Sequence, residues 1–289
     1  MSTSTAIPSE PVSTPRPAPS APPPGELKTK RKHAHFRWSV PLGWVVFGLV
    51  LFGTWELCAA TGVINPVYFG QPSMIIQSLF QNLFGELLYV HTVATFTGVI
   101  IGWILASVLG IITALALSAS PYMLKVIEPY FTMANSLPRV ALAPLFLLWF
   151  GLGVEAKIAL AFSLAFFVVF SNTLAGVQSA ESERKLLARV LGASKIQTFR
   201  KFVLPGAVPG IFTGLELGFI FGMLAAVAGE MLAGRAGLGV QLQFYANSFQ
   251  MNEYFATLII LVAGTMLFSW LLRAIRRRLL RWQEATETE

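Results

Sequence analysis

The chain has 289 residues, of which 55% are hydrophobic and only 12% charged, with a mean hydropathy of +0.65. Soluble domains carry about a quarter of their residues as charges, so this composition excludes an ordinary soluble fold and places the chain in a membrane. A net charge of +7 without a basic cluster free of the apolar runs argues against nucleic-acid binding, and a single cysteine, Cys58, excludes an internal disulfide or a multi-cysteine metal site.

In chain order, residues 1–38 read as a disordered Pro-rich tail with a basic flank, carrying eight prolines between Pro8 and Pro24. Lys28 to Lys32 precede a full-length apolar run with no small-residue cleavage site, so the first span is retained and is not a signal peptide. Apolar runs follow at Val40–Ala59, Val93–Leu117, Pro138–Gly153, Ile158–Val177, Ile211–Ala233 and Tyr254–Leu272. A helical span needs about 17 to 25 residues, which five of the six runs supply. The third reaches that length if its helix begins near Tyr122 and bends at Pro138 and Pro144. Thr61 to Tyr89 carries no Lys or Arg, and Met74 to Phe84 has the pattern of a short amphipathic helix at the outer interface.

Lys and Arg concentrate before the first span, in the loop from Gln178 to Gly210, and after the sixth span, whereas the opposite side holds only Lys157 and Arg235. The positive-inside rule therefore predicts that both termini and the 178–210 loop are cytoplasmic. Residues 39–282 are read as one six-span domain, and 283–289 as a cytoplasmic tail. In the loop, Leu186, Leu187, Val190 and Leu191 share one helical face, and Arg184, Lys185 and Arg189 take the other. Gly192 stands at a left-handed helix end, Ser194 and Gln197 have the spacing of a capping box opening a second helix, and Pro205 is expected to stop that helix.

Gly192, nine intervening residues and Phe202-Val203-Leu204-Pro205 resemble the EAA loop of permease subunits in ATP-binding-cassette (ABC) importers. Gln71-Pro72-Ser73, Ser136 to Leu145, Trp149 to Gly153, Asn172 to Gly176 and Gly237-Leu238-Gly239 extend the likeness, collinearly, to the nitrate, sulfonate, taurine and bicarbonate branch. Two departures stand out: Leu186-Leu187-Ala188 replaces Glu-Ala-Ala, and Phe202 replaces Ile. The missing glutamate bears on the usual electrostatic contact to the ATPase, not on docking itself. The resemblance implies an all-α polytopic membrane protein with the six-helix type I ABC importer permease fold, in the bacterial inner membrane. It further implies two copies of this chain, two ABC ATPase subunits holding ATP and Mg, a periplasmic or lipid-anchored binding protein, and no cofactor on the chain itself. Membrane lipid is its remaining partner. ATPase coupling is expected at Leu186, Leu187, Ala188, Arg189, Val190, Leu191, Gly192, Ala193, Ser194, Leu204 and Pro205.

For the solute path the candidates are Asn135, Pro138, Arg139, Phe166, Asn172 and Glu230. A guanidinium within a span is costly and faces a cavity or a partner. Arg139 has two readings: a transient ligand for an anionic solute, or a structural group paired with Glu128, Glu216 or Glu230 or capping carbonyls freed by the prolines. Glu230 reads as a gate or a structural partner, and Phe162, Phe166, Phe167 and Phe170 as packing or as a hydrophobic gate. Gly210, Gly214, Gly218 and Gly222, like Gly98 and Gly102, have the spacing of close helix contacts, within the subunit or at a sliding seam. No phosphate-binding loop or metalloprotease motif is present, so the energy must come from elsewhere, which the resemblance makes a separate ATPase. A secondary transporter or channel is the rival reading; it would show an inverted repeat or several intramembrane ionisable residues.

Overall fold

A computed structural model describes residues 39–83 and 85–280, all of whose regular elements are helical. The expected tail and basic flank at 1–38 and the end segment 283–289 lie outside the described residues. The chain divides into two units, Met1–Leu49 and Val50–Glu289. In the first, the described residues 39–49 are the opening turns of α1 (Ser39–Ala60). All that follows concerns the second.

After α1 come α2 (Pro66–Phe69) and α3 (Pro72–Leu83), the short amphipathic helix expected from the sequence at Met74 to Phe84. The Gln71-Pro72-Ser73 motif now has a physical role. Glu56 of α1 accepts from Gln71 Nε2 at 2.6 Å and from the Ser73 N–H and Oγ at 2.9 Å each, capping α3 with a carboxylate. The Gln71 N–H donates to Asn252 Oδ1 at 2.9 Å, which joins this corner to the start of the last helix.

The remaining elements are α4 (Glu86–Ser118), α5 (Pro121–Ser136), a 3₁₀ turn (Arg139–Leu142), α6 (Ala143–Phe150), α7 (Val154–Val190), α8 (Lys195–Thr198), a π-turn (Phe199–Val203), α9 (Leu204–Ala233), α10 (Leu238–Asn247) and α11 (Met251–Leu279). Five helices are long and apolar enough to cross a membrane, six if α5 and the following Arg139–Phe150 arm count as one bent span. That bend is 74° and falls at the break before Arg139. Pro138 is at the break, since a proline ring and its missing N–H end the helix behind it. Pro144, expected to bend the span too, instead sits in the first turn of α6, where its missing N–H has no helical partner to lose.

Helices α4, α7 and α9 pack as a trio around the Val99–Ala161–Phe219 cluster, and glycines make this possible. A methyl on Gly102 of α4 would meet the Ile158 carbonyl at 2.6 Å and Ala161 Cβ at 2.9 Å. Further along the same face of α7, Gly210 of α9 approaches the Gly176 Cα, and Gly214 approaches Val169 and Asn172. Backbones in lipid gain little from apolar burial against acyl chains, so close dispersion contact over such stripes holds the trio together. Both glycine ladders are therefore spent on packing inside this subunit. Phe219 and Phe268 stack at 3.8 Å between centroids, and Trp103 closes the cluster edge-on while donating Nε1–H to the Leu215 carbonyl at 2.9 Å.

Two boundaries differ from the sequence expectation. The amphipathic segment after Gln178 is not a separate helix: with no glycine or proline between Gly176 and Gly192, α7 runs unbroken out of its span. Nor does Pro205 stop the next helix. The Leu204 N–H bonds to the Phe199 carbonyl five residues back, and this widened turn makes room for the proline ring at the start of α9.

Candidate functional site

Three groups of residues carry the functional candidates. At the first, α7 ends as the sequence dictates: Gly192 takes φ +65°, and Ala193 N–H donates to the Ala188 carbonyl at 3.0 Å, the six-to-one bond of a left-handed terminus. A Cβ on Gly192 would touch nothing, so the need for glycine is purely conformational, on the order of 1 kcal/mol. Ser194 then opens α8 by a reciprocal capping box, with Gln197 N–H to Ser194 Oγ at 3.3 Å and Ser194 N–H to Gln197 Oε1 at 3.0 Å. The result is a fixed corner that holds Leu191 (65% exposed) and Ile196 (72% exposed) outward as an apolar knob. Ile196 escaped the sequence reading because it belongs to the second helix, not to the face counted on the first. Ala188 is fully buried, and Leu204 and Pro205 are half-buried at the π-turn exit, behind the knob. The side chains of Leu186, Leu187, Arg189 and Val190 lie outside those described.

The second group surrounds the break between α5 and α6. Arg139 lies with its guanidinium carbon 3.9 Å from the centre of the Phe167 ring, a cation–π contact, and its Nη2 donates to the Ala134 carbonyl at 3.0 Å and Asn135 Oδ1 at 3.1 Å. It thus caps the end of α5. None of the three proposed glutamates pairs with it: Glu216 bonds Arg273 at 2.9 Å, Glu230 bonds Lys157 at 2.8 Å, and no ion pair forms at Glu128 among the described residues. Beside it, Phe131 meets Phe166, Phe167 and Phe170 at 6.3, 5.6 and 4.3 Å between centroids. A cavity of about 260 Å³ opens between α5 and α7, with Glu128, Phe131, Thr132, Asn135, Phe167 and Phe170 on its wall. Asn135, Arg139 and Phe166 are therefore brought together, with Pro138 exposed at the adjoining break. Asn172 is not: it donates to the Val168 carbonyl at 2.8 Å and fills the seam against Gly210 and Gly214.

Glu230 belongs to a third, buried cluster. It accepts from Lys157 at 2.8 Å, from Thr95 Oγ1 at 2.9 Å and from the Gly239 N–H at 2.8 Å. Thr95 accepts in turn from the Leu238 N–H, His91 from the Gly237 N–H, both at 2.8 Å, and Lys157 also donates to the Ala236 carbonyl. This network fastens the 234–239 loop to α4 and α7. The Gly237-Leu238-Gly239 motif supplies its N–H groups, and Gly237, at φ +133°, admits no ordinary side chain. Lys157, counted from the sequence as an outer-loop charge, is only 7% exposed and belongs to this network. The sequence signal was present as two opposite charges near span ends, but their pairing across 73 positions was not visible. Removing one member of such a pair costs about 3–5 kcal/mol, because the other stays buried and charged. Lys157→Met should accordingly lower the thermal midpoint of the detergent-solubilised protein by several degrees more than Arg235→Met, as read by size-exclusion melting curves.

Residues 106–281 match the family of binding-protein-dependent transport system inner membrane components. The chain belongs to this family. It is 31% identical to the taurine transport system permease protein TauC of Escherichia coli over 81% of its own length and 86% of that protein's. With the putative aliphatic sulfonates transport permease protein SsuC of Bacillus subtilis it shares 27% identity, over 85% and 90% of the two chains. The nitrate import permease protein NrtB of Leptolyngbya laminosa is 30% identical, over 77% and 81%. Among solved structures, a chain of the MetNI methionine ABC transporter in an inward-facing conformation superposes with a TM-score of 0.58 at 19% identity, covering 67% of this chain and 97% of that one. An amino acid ABC transporter chain gives 0.55 at 22% identity, covering 69% and 97%. These two show a shared fold. The protein is thus a multi-pass inner-membrane permease of an ABC importer, from the branch that the sequence motifs resemble, and the family works with an ATPase and a substrate-binding protein.

Proposed function

We propose that two copies of this chain form the translocation path for a small anionic organic or inorganic solute, handed over by a binding protein and driven by two ATPase subunits that dock on the Gly192 corner. The observation that carries the coupling part is that corner, where two independent helix-end motifs hold Leu191 and Ile196 out of the chain. Cytoplasmic placement of the corner and of both termini is supported by the distribution of Lys and Arg. An anionic cargo is supported by the names of three relatives, taurine, sulfonate and nitrate permeases, and by Arg139. Its fork has five N–H donors, of which the Ala134 and Asn135 bonds engage one nitrogen, and two of its contacts, Asn135 and Phe167, line the α5–α7 cavity.

Co-expression with the cognate ATPase should give a complex of two copies of each chain, and the permease purified alone should hydrolyse no ATP. In proteoliposomes, Arg139→Ala should cut uptake by about tenfold or more while assembly and basal ATP turnover stay near wild type. Loss of folded protein in Arg139→Ala, with Arg139→Lys restoring fold but not uptake, would instead assign the guanidinium to capping α5. ATP turnover by the permease alone would overturn the coupling reading.

A further inference from the structure

A second cavity lies away from the corner and is lined by neither Arg139 nor its neighbours. It is a groove of about 490 Å³ between α9 and α11, walled by Ile220, Leu224, Leu258, Val262 and Met266 and ended by Arg273. Three observations indicate what fills it. Its walls are large, flexible or branched aliphatic side chains, whereas helix pairs in lipid meet over small residues, and the glycine ladders of α4 and α9 are already buried against α7. Its lining on α9, from Glu216 to Val227, spans about 16 Å at 1.5 Å per residue, close to half of a ~30 Å hydrocarbon core and so to one acyl chain. Finally, the groove face of α11 continues at helical spacing from Val262 and Met266 through Arg273 to Arg276 and Arg277, so a cationic cluster stands at one end of an apolar slot.

We infer that this groove is a binding site for an anionic phospholipid, with one acyl chain along α9 and α11 and its phosphate on Arg276 and Arg277. Arg273 is held in place by Glu216 at 2.9 Å, among the described residues its sole ion-pair partner, and this pair closes the slot between chain and headgroup. Basic pockets between spanning helices at a cytoplasmic boundary attract anionic headgroups by this same charge complementarity. The site stands apart from the transport reading and needs from it only the orientation that puts the arginines at the inner leaflet.

The test is native mass spectrometry of the permease–ATPase complex titrated with phosphatidylglycerol and phosphatidylcholine of identical acyl chains. Wild type should retain phosphatidylglycerol preferentially. Arg276→Gln/Arg277→Gln should lower that retention roughly tenfold without changing phosphatidylcholine. Met266→Trp, which obstructs the slot at an exposed position, should displace both lipids. Equal retention of the two lipids, or retention unchanged in both variants, would overturn the site. So would efficient disulfide formation between two copies of Met266→Cys in a Cys58→Ser background, which would give the groove to a second permease. ATPase recovery in each sample reports separately on the transport reading.

Discussion

Leu191→Glu should strip the ATPase from the permease during extraction while the spanning helices keep their fold. Leu191 is 65% exposed on a corner fixed by the Gly192 terminus and the Ser194–Gln197 capping box, so the substitution leaves most of its new side chain in solvent. Once a partner covers the knob, however, the carboxylate is buried without a counter-charge, which costs several kcal/mol and about two orders of magnitude or more in affinity. Ile196→Glu should act the same way, and Ser194→Ala more weakly, because it loosens the corner without placing a charge in the contact. Co-purification of the ATPase with each variant measures the effect. Full ATPase recovery together with normal transport in Leu191→Glu would move the docking surface elsewhere on that side of the protein.

The second large effect lies in the membrane. Gly102→Leu should prevent a stable bundle from forming, whereas Gly53→Leu should be close to neutral. At Gly102 even the first added carbon meets the Ile158 carbonyl at 2.6 Å and the Phe162 nitrogen at 3.1 Å, and these are backbone atoms with no rotamer to yield. Relief requires α4 and α7 to separate along their length, which exceeds the usual 1–3 kcal/mol of an overpacked core and opens the Val99–Ala161–Phe219 cluster beneath. Nothing stands within 4 Å of a Cβ on Gly53. The yield of monodisperse protein after extraction separates the two variants, and equal yields would refute the account of α7 as a helix seated against the glycine stripes of α4 and α9.

Much of this was legible in the residues themselves. Helix ends written in local chemistry, such as Gly192 and the Ser194–Gln197 box, need only neighbouring residues, and they came through at the expected positions; α5, expected from span length to begin near Tyr122, begins at Pro121. The glycine periodicity announced close packing, but not which helix would receive it, since α7 carries matching small residues at Ala161, Ala165 and Gly176 that do not read as a ladder. Continuity through Pro205 depends on a one-residue slip in the hydrogen-bond ladder, which no local rule anticipates. The Lys157–Glu230 network was hidden for another reason: its partners are separated by scores of residues, so Lys157 alone reads as an outer-loop charge and Glu230 as a gate or structural partner without a named mate.

The two helices that leave the Gly192 corner are mechanically unequal. Helix α7 is a 37-residue shaft, about 55 Å long, seated against the glycine stripes of α4 and α9 and anchored near its far end by Lys157. Its counterpart α9 starts from a π-turn, where the Leu204 N–H reaches back five residues, before its glycine stripe seats on α7. With the ATPase docked on the corner as proposed, a load on Leu191 would have α7 as its direct route to the Lys157-anchored 234–239 loop, about 50 Å away at 1.5 Å per residue.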